Sequence, residues 1–440
     1  MRFLNTRRHR TITCWRICST VRAVCVPFLL ASGANVFGNE LRTIIGTTAT
    51  HSDNITLVTE GPEDSEVVLE PFVRIDYQLG FSDFDADLSY SAKVTDFRQN
   101  SFDDREEITG EGSARWNLID RRLFLDFYQT SQRLSVDSAD IDTPANQTRR
   151  DVYSVAPTFQ MNFGAASFMQ VRATATEATF ERDVVSGSEQ QGVTLSLGSR
   201  VLGSRQVGVR LEYTETEFDF GRPGFDNQRL VFSIGASGEQ FSYSLALGPD
   251  RLKRESGETS GSFLAASASL ERTNDELRVS FTRQLTDTSA GLSLSDVPES
   301  ALSNGDGNFR IADTVERQRA ELNYSLNLLP GKLKVSARLS NDEEDYSVVD
   351  EDQSVRSGDL GFEYRFSPRL VTSLNTRWNQ RELDFDSSNI VNRQLELGLR
   401  YNVNTRLSWR FSVRDKSRNS SREGATADEL ETLLGFDYWL

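Results

Sequence analysis

The stretch RAELNYSLNL at residues 319–328 decides the fold class, because apolar and polar residues alternate along it without interruption. Ala320, Leu322, Tyr324 and Leu326 fall on one face of an extended strand, and the polar residues between them fall on the other. The same period of two recurs at 84–94 and 395–403, and near 67–79, 207–213, 241–247, 333–339, 360–366 and 407–413. This pattern predicts an all-β protein whose strands have one face in an apolar medium and one in water.

The connections between these segments indicate how the strands are arranged. Tight turns are expected at nine places: 80–83, 120–121, 164–167, 203–204, 238–239, 274–275, 330–331, 367–368 and 404–405. Longer polar segments lie between them, such as 137–149, 221–227, 290–313 and 341–354. Strict alternation of short and long connections is typical of a transmembrane antiparallel up-and-down β-barrel, with short periplasmic turns and longer extracellular loops.

The turns also give the number of strands. Nine hairpins contain eighteen strands, and one strand at 41–58 and another at 428–440 make twenty. An even number places both ends of the barrel on the short-turn rim, as this architecture requires. The first strand is weakly patterned, so the expected range is 16 to 20.

Composition excludes other classes of protein. The chain is 37% hydrophobic and has no apolar run long enough for a transmembrane helix. Its net charge of -16 argues against a nucleic-acid partner, which would require a basic face. A barrel needs only every second residue of a strand to be apolar, so this composition is sufficient for one.

The N-terminus has the features of a secretory signal peptide at residues 1–34. Six arginines and all three cysteines precede Ala34, no acidic residue does, and a short apolar run leads to a small-x-small site at Ser32 and Ala34. Cleavage is expected after Ala34, with Gly38 and an uncleaved membrane anchor as alternatives. The barrel would then occupy residues 35–440, with 43 basic and 65 acidic residues, a net charge of -22 and no cysteine.

The last strand carries apolar residues at alternate positions up to the end of the chain. Gly435, Phe436, Tyr438 and Leu440 resemble the C-terminal signal of bacterial outer-membrane proteins, although Leu440 stands where Phe is commoner. The resemblance implies recognition by the barrel-assembly machinery. The alternative is an ordinary edge strand of a soluble fold.

Residues suited to catalysis are scarce. His51 is the one histidine after Ala34, and no nucleophile-elbow, phosphate-binding or dinucleotide-binding motif occurs. We therefore expect no enzymatic activity, no cofactor and no metal site. The acidic clusters expected in outer loops are interpreted as solvated loops, or as sites for divalent cations that bridge to lipopolysaccharide.

The polar face of the later strands is rich in basic residues. Alternation points eleven of them into the lumen: Arg278, Arg319, Lys332, Lys334, Arg338, Arg365, Arg377, Arg400, Arg406, Arg410 and Arg414. Glu321, Glu363 and Glu396 share that face, so its balance is basic. Such a wall could guide an anionic solute, or its charges could form salt bridges that only fill the barrel.

Three short segments carry a family resemblance: THSDNITL at 50–57, Glu70-Pro71-Phe72, and LFLD at 123–126. They resemble the outer-membrane, porin-like β-barrel proteins encoded beside exopolysaccharide and exosortase (PEP-CTERM) loci. The resemblance implies a role in surface polysaccharide export or assembly, and it assigns no binding residue.

The sequence therefore predicts a bacterial outer-membrane barrel that is a porin-like channel or a component of exopolysaccharide export. The alternatives are a closed structural barrel that acts as an envelope docking element without transport, and a soluble β-rich surface protein. Expected partners are outer-membrane lipid and lipopolysaccharide, the barrel-assembly machinery, and an anionic polysaccharide or its export proteins.

Overall fold

A computed structural model describes residues 40–57, 64–136, 143–182, 185–201, 204–219, 224–254, 257–287, 314–329, 331–346, 352–384, 387–421 and 425–440. The predicted signal peptide at 1–34 and the predicted long loop at 290–313 lie outside these ranges. A 3-10 helix lies at Pro144–Asn146, and no helix in these ranges is long and apolar enough to cross a bilayer.

The described residues form twenty strands. They are β1 (Glu40–Ser52), β2 (Glu66–Gly80), β3 (Phe84–Phe97), β4 (Arg105–Ile119), β5 (Leu123–Ser135), β6 (Gln147–Phe163), β7 (Ser167–Phe180), β8 (Ser188–Arg200), β9 (Arg205–Phe218), β10 (Phe225–Ser237), β11 (Phe241–Arg254), β12 (Gly257–Glu271), β13 (Asp275–Asp287), β14 (Thr314–Leu329), β15 (Leu333–Tyr346), β16 (Gln353–Ser367), β17 (Leu370–Leu383), β18 (Ser388–Asn402), β19 (Leu407–Ser420) and β20 (Ala427–Trp439).

The strands close into one antiparallel barrel. Each strand pairs with the next along the chain, and β20 pairs with β1 from Ile44 opposite Trp439 to Ser52 opposite Glu431. Closure leaves no exposed sheet edge, which is what a membrane-spanning sheet requires. The predicted all-β barrel and its twenty strands are confirmed, and this architecture matches that of bacterial outer-membrane proteins.

The connections agree with those predicted from the sequence on the short-turn rim and differ from them on the long-loop rim. Strands meet across two to four residues at all nine places where tight turns were expected. On the opposite rim, strict alternation is wrong at β11–β12, because these strands stay paired up to Arg254 opposite Gly257 and only two residues join them. The first strand also ends earlier than expected, at Ser52.

The outer face of the barrel is an apolar band. On many strands, large apolar side chains at alternate positions are solvent-exposed in the isolated chain, as Val73 and Ile75 are on β2. Aromatic residues on this face form a girdle near the short-turn rim, within five residues of a short turn or the C-terminus: Trp116, Phe159, Phe241, Phe366, Tyr401, Trp409 and Tyr438. Such a girdle marks a lipid–water interface.

Buried residues concentrate in the halves of the strands next to the long-loop rim. Phe218, Phe225, Leu252 and Leu285 form a buried apolar cluster, where β9, β10, β11 and β13 approach that rim. Leu383 and Ile390 form a smaller cluster at the β17–β18 end. The apolar packing inside the barrel therefore lies near the long-loop rim and not around a central core.

The β3–β4 connection at this rim is held by one buried carboxylate. Glu66, the first residue of β2, accepts hydrogen bonds from the main-chain N–H groups of Val67, Gln99 and Ser101 at 2.8, 2.8 and 3.1 Å. Burial by itself would raise the pKa of Glu66, but these hydrogen bonds outweigh it and lower the pKa below its ordinary value of 4.5. An ionised Glu66 thus orders the connection.

Candidate site on the lumen face of the barrel

The strand register identifies the face that lines the lumen. Arg278 lies opposite Asn323, Asn323 opposite Arg338, Arg338 opposite Asp359, and Asp359 opposite Arg377. Residues directly opposite each other in a sheet point to the same face. This row alternates with the exposed apolar residues, so it lies on the inner face.

Nine of the eleven basic residues singled out from the sequence lie within strands, on that face. They are Arg278 on β13, Arg319 on β14, Lys334 and Arg338 on β15, Arg365 on β16, Arg377 on β17, Arg400 on β18, and Arg410 and Arg414 on β19. Lys332 and Arg406 lie in the short connections β14–β15 and β18–β19, at the short-turn rim.

Most of these cations are held by carboxylates on the same face. Arg319 and Arg338 share Glu321, at 3.0 and 2.8 Å. Arg414 spans Glu396 and Glu431, at 3.3 and 2.8 Å. The other close pairs are Arg278–Glu276 at 3.1 Å, Arg377–Asp359 at 2.6 Å and Arg410–Asp437 at 2.8 Å.

A smaller group at the short-turn rim lacks such partners. Lys332, Lys334, Arg400 and Arg406 have no carboxylate oxygen within 4.0 Å among the described residues, and Arg365 reaches Glu363 only at 4.0 Å. These five side chains are exposed. A recess of about 370 Å³ opens beside Lys334, between Arg278, Arg338 and Asp359. The free cations thus lie nearer the short-turn rim than the paired ones, except that Arg410, which lies opposite Arg400, is paired.

The structure adds lumen cations that the sequence reading missed. Arg317 contacts Asp342 and lies 3.5 Å from Glu344, and Lys416 bridges Glu429 and Glu431 at 3.1 and 2.6 Å. Both lie two residues from basic residues already singled out, so extending the alternation by one step would have found them.

A buried cation, Arg229 on β10, was also missed. Its Nε and Nη2 donate to Asp250 Oδ2 at 3.0 and 2.6 Å, Nη2 donates to the Leu285 carbonyl at 3.0 Å, and Nη1 lies 3.4 Å from Glu212. The guanidinium also lies 4.6 Å from the ring centroid of Phe263. Its side chain is 6% exposed and that of Asp250 is 0% exposed. No local pattern signals this site, because its partners lie on other strands.

The early strands carry a different balance of charge. Asp76, Asp85 and Asp87 lie on the lumen face of β2 and β3, with Arg74 2.9 Å from Asp76. Deeper along β3, Lys93 bridges two glutamates. The short-turn mouth therefore has an acidic sector at β2–β3 and a basic sector at β14–β19. Among the described residues, no group of three or more His, Cys, Asp or Glu side chains is arranged to hold a metal ion.

The residues of the C-terminal motif lie on the strand that closes the barrel. Phe436, Tyr438 and Leu440 continue the apolar outer face, and Gly435 faces Thr48 across the β20–β1 seam. Beyond the seam, Asp53 Oδ1 accepts the Leu430 N–H at 2.7 Å, and Asn54 Nδ2 donates to the Asp428 carbonyl at 2.9 Å. The Asp–Asn pair of the first resemblance segment thus clasps the last strand, whereas His51 lies within β1.

Comparison with known proteins gives an architectural similarity only. No protein-family model matches the chain, and no curated protein matches its sequence. Similar solved structures include the ferric-catecholate import receptor Fiu of E. coli K12, with TM-score 0.44, 11% identity and coverage of 90% of this chain and 82% of that one. The FrpB iron transporter of Neisseria meningitidis (F5-1 variant) gives 0.49, 9%, 92% and 83%. At these values the similarity does not bear on the function of this chain.

Proposed function

We propose that the protein is a porin-like outer-membrane channel for hydrophilic solutes and has no enzymatic activity. The observation that carries this is the strand number, together with a polar, charged inner face. Twenty strands about 4.8 Å apart and tilted by about 40° give a backbone radius of about 20 Å if the barrel is circular. Barrels of 16–18 strands already leave an aqueous channel, whereas side chains fill an eight-stranded barrel.

Exposure of the lumen charges supports this function. Lys334, Arg365, Arg377 and Arg400 are exposed although they lie on the inner face, so water reaches the short-turn half of the lumen. An aqueous wall with both signs of charge suits the passage of ions and polar solutes.

Conductance across planar bilayers tests the channel. Refolded protein, shown to be folded by heat-modifiable gel migration, should give discrete conductance steps in KCl. Boiled protein in the same detergent is the control. Folded protein that inserts and carries no ion current would refute the proposal.

A closed structural barrel is the second candidate, and burial at the outer end favours it. Arg229, Asp250 and Leu252 are buried on the inner face near the long-loop rim, which narrows the lumen there. In this case wild-type protein would be silent in the bilayer. An Arg229→Met variant that conducts where the wild-type protein does not would indicate that this buried cluster closes the barrel.

We also propose that the solute belongs to surface polysaccharide export, on the strength of the resemblance at 50–57, 70–72 and 123–126. Deletion of the gene should lower the amount of cell-surface polysaccharide, and expression of the intact chain should restore it. Unchanged polysaccharide in the deletion strain would remove this part of the proposal and leave the channel in place.

A further inference from the structure

We propose that the short-turn mouth of the lumen binds flexible polyanions that carry several carboxylate or phosphate groups. This inference names the solute class of the proposed channel and so rests on that function. The binding surface, which we term the basic arc, spans β14–β19 and consists of Lys332, Lys334, Arg365, Arg369, Arg400, Arg406 and Arg410.

The basic arc has an excess of unneutralised positive charge. Its seven cations lie at the short-turn mouth beside two acidic residues of this sector, Glu363 and Asp437. Among the described residues only Arg410 has a close carboxylate partner, at 2.8 Å from Asp437. Elsewhere on the lumen face, cations such as Arg338 and Arg414 are neutralised by glutamates. The free charges are therefore a local feature of one mouth.

The register brings like charges side by side. Arg365 lies opposite Val371, Val371 opposite Arg400, and Arg400 opposite Arg410, so three arginines occupy one row across four neighbouring strands. Arg400 and Arg410 face each other directly, and like charges in that position destabilise a sheet, so this pair does not serve stability. A bound anion would relieve the repulsion, and guanidinium groups match the geometry of carboxylates and phosphates.

The wall beside this row leaves room for a ligand. In the adjacent rows, Gly361 lies opposite Ser336, and Gly398 lies between Ser373 and Ser412. These small residues keep the surface next to the arginines low and open to the lumen.

The spacing of the arginines sets the kind of anion. The backbones of Arg365 and Arg400 are two strands apart, about 10 Å. A small anion can neutralise one such pair, whereas a chain with repeated acidic groups can contact the whole arc from Lys334 on β15 to Arg410 on β19. The acidic sector at β2–β3, with Asp76, Asp85 and Asp87, would repel the chain and so direct it to the basic arc.

Neutralisation of the arc tests the inference. Titration calorimetry of the folded protein in detergent micelles would use hexagalacturonate as the carboxylate probe and tripolyphosphate as the phosphate probe. The triple variant Lys334→Gln, Arg365→Gln, Arg400→Gln should bind about tenfold more weakly, since each exposed ion pair is individually weak. Loss of one probe alone would identify which acidic group the arc prefers.

A charge-matched control removes three cations from the same rim outside the arc: Arg121→Gln, Arg122→Gln and Arg205→Gln. We expect this variant to bind both probes as the wild-type protein does. Equal affinities of the two triple variants, or no binding of either probe to wild-type protein, would overturn the inference.

Sidedness separates this inference from the channel proposal. In a bilayer with known orientation, hexagalacturonate should block current when it is added to the short-turn side and much less when added to the other. A conducting wild-type channel without sided block refutes the basic arc and leaves the channel standing. Calorimetric binding without conductance refutes the channel and leaves the basic arc standing.

Discussion

Substitution of Arg229 tests how the barrel is stabilised near the long-loop rim. Replacing it with methionine keeps most of the side-chain volume and removes the charge. The change leaves Asp250, which is buried with 0% side-chain exposure, without its main partner, and it frees the Leu285 carbonyl. Glu212 keeps a partner, because Arg210 lies 2.6 Å from it.

The expected cost follows from these contacts. Breaking a buried ion pair by removing one partner costs about 3–5 kcal/mol, because the remaining charge stays buried and uncompensated. We therefore expect the Arg229→Met variant to lose about 3–5 kcal/mol of unfolding free energy. Replacing both partners with apolar residues is often neutral. The double variant Arg229→Met, Asp250→Leu should therefore recover most of the loss.

Urea unfolding in lipid vesicles, followed by tryptophan fluorescence, measures these free energies. Arg251→Met is the matched control, because Arg251 lies on β11 next to Asp250 but pairs with Glu258 in an exposed position. We expect this control to unfold as the wild-type protein does. If the Arg229→Met variant lost less than about 0.5 kcal/mol, or if the double variant were no more stable than the single one, the buried-pair reasoning would be refuted.

Three further substitutions test the β20–β1 seam, the β3–β4 connection at the long-loop rim and the barrel wall at Gly248. Asp53→Ala should speed hydrogen exchange at the Leu430 amide, since it removes the 2.7 Å acceptor of that N–H; unchanged exchange would count against the clasp. The folded pKa of Glu66 lies below 4.5, so its stabilisation is present above that value and is lost as pH falls through the folded pKa. Glu66→Gln should therefore already show at neutral pH the loss of hydrogen-exchange protection in the β3–β4 connection that the wild-type protein shows only in acid, with protection measured against the intrinsic exchange rate at each pH. Gly248→Ala should prevent barrel formation, scored by gel migration, because its Cβ would collide with the Leu230 carbonyl oxygen; a normal barrel would show that the strand can shift there.

The strands and their faces could be derived from local sequence. The twenty strands and nine short turns follow from a period of two and from turn residues, and each of these signals is local to one strand or turn. The position of His51 and the scarcity of catalytic motifs could also be derived from the sequence. The hairpin between β11 and β12 was not, because Arg254 and Gly257 stay paired to the tip in a polar segment that carries no alternation of its own.

Which charges are neutralised could not be derived in this way. Alternation places Arg400 and Arg414 alike on the inner face of their strands. Only the closed register brings Glu396 and Glu431 to Arg414 and places Arg410 opposite Arg400. A shift of one strand by two residues would preserve every face and exchange every partner.

The amino-acid sequence by itself therefore determined the fold class, a strand number between 16 and 20 and the lumen face, because a bilayer on one side and water on the other impose a pattern on each strand separately. The tertiary structure decided which lumen cations stay unpaired in the basic arc at the short-turn rim. It also decided that Arg229 and Asp250 are buried together near the long-loop rim. Arg229 and Asp250 are 21 positions apart in the sequence, and Arg229 also contacts the carbonyl of Leu285, 56 positions away. Such contacts depend on how twenty strands close on one another, and no single strand carries that information.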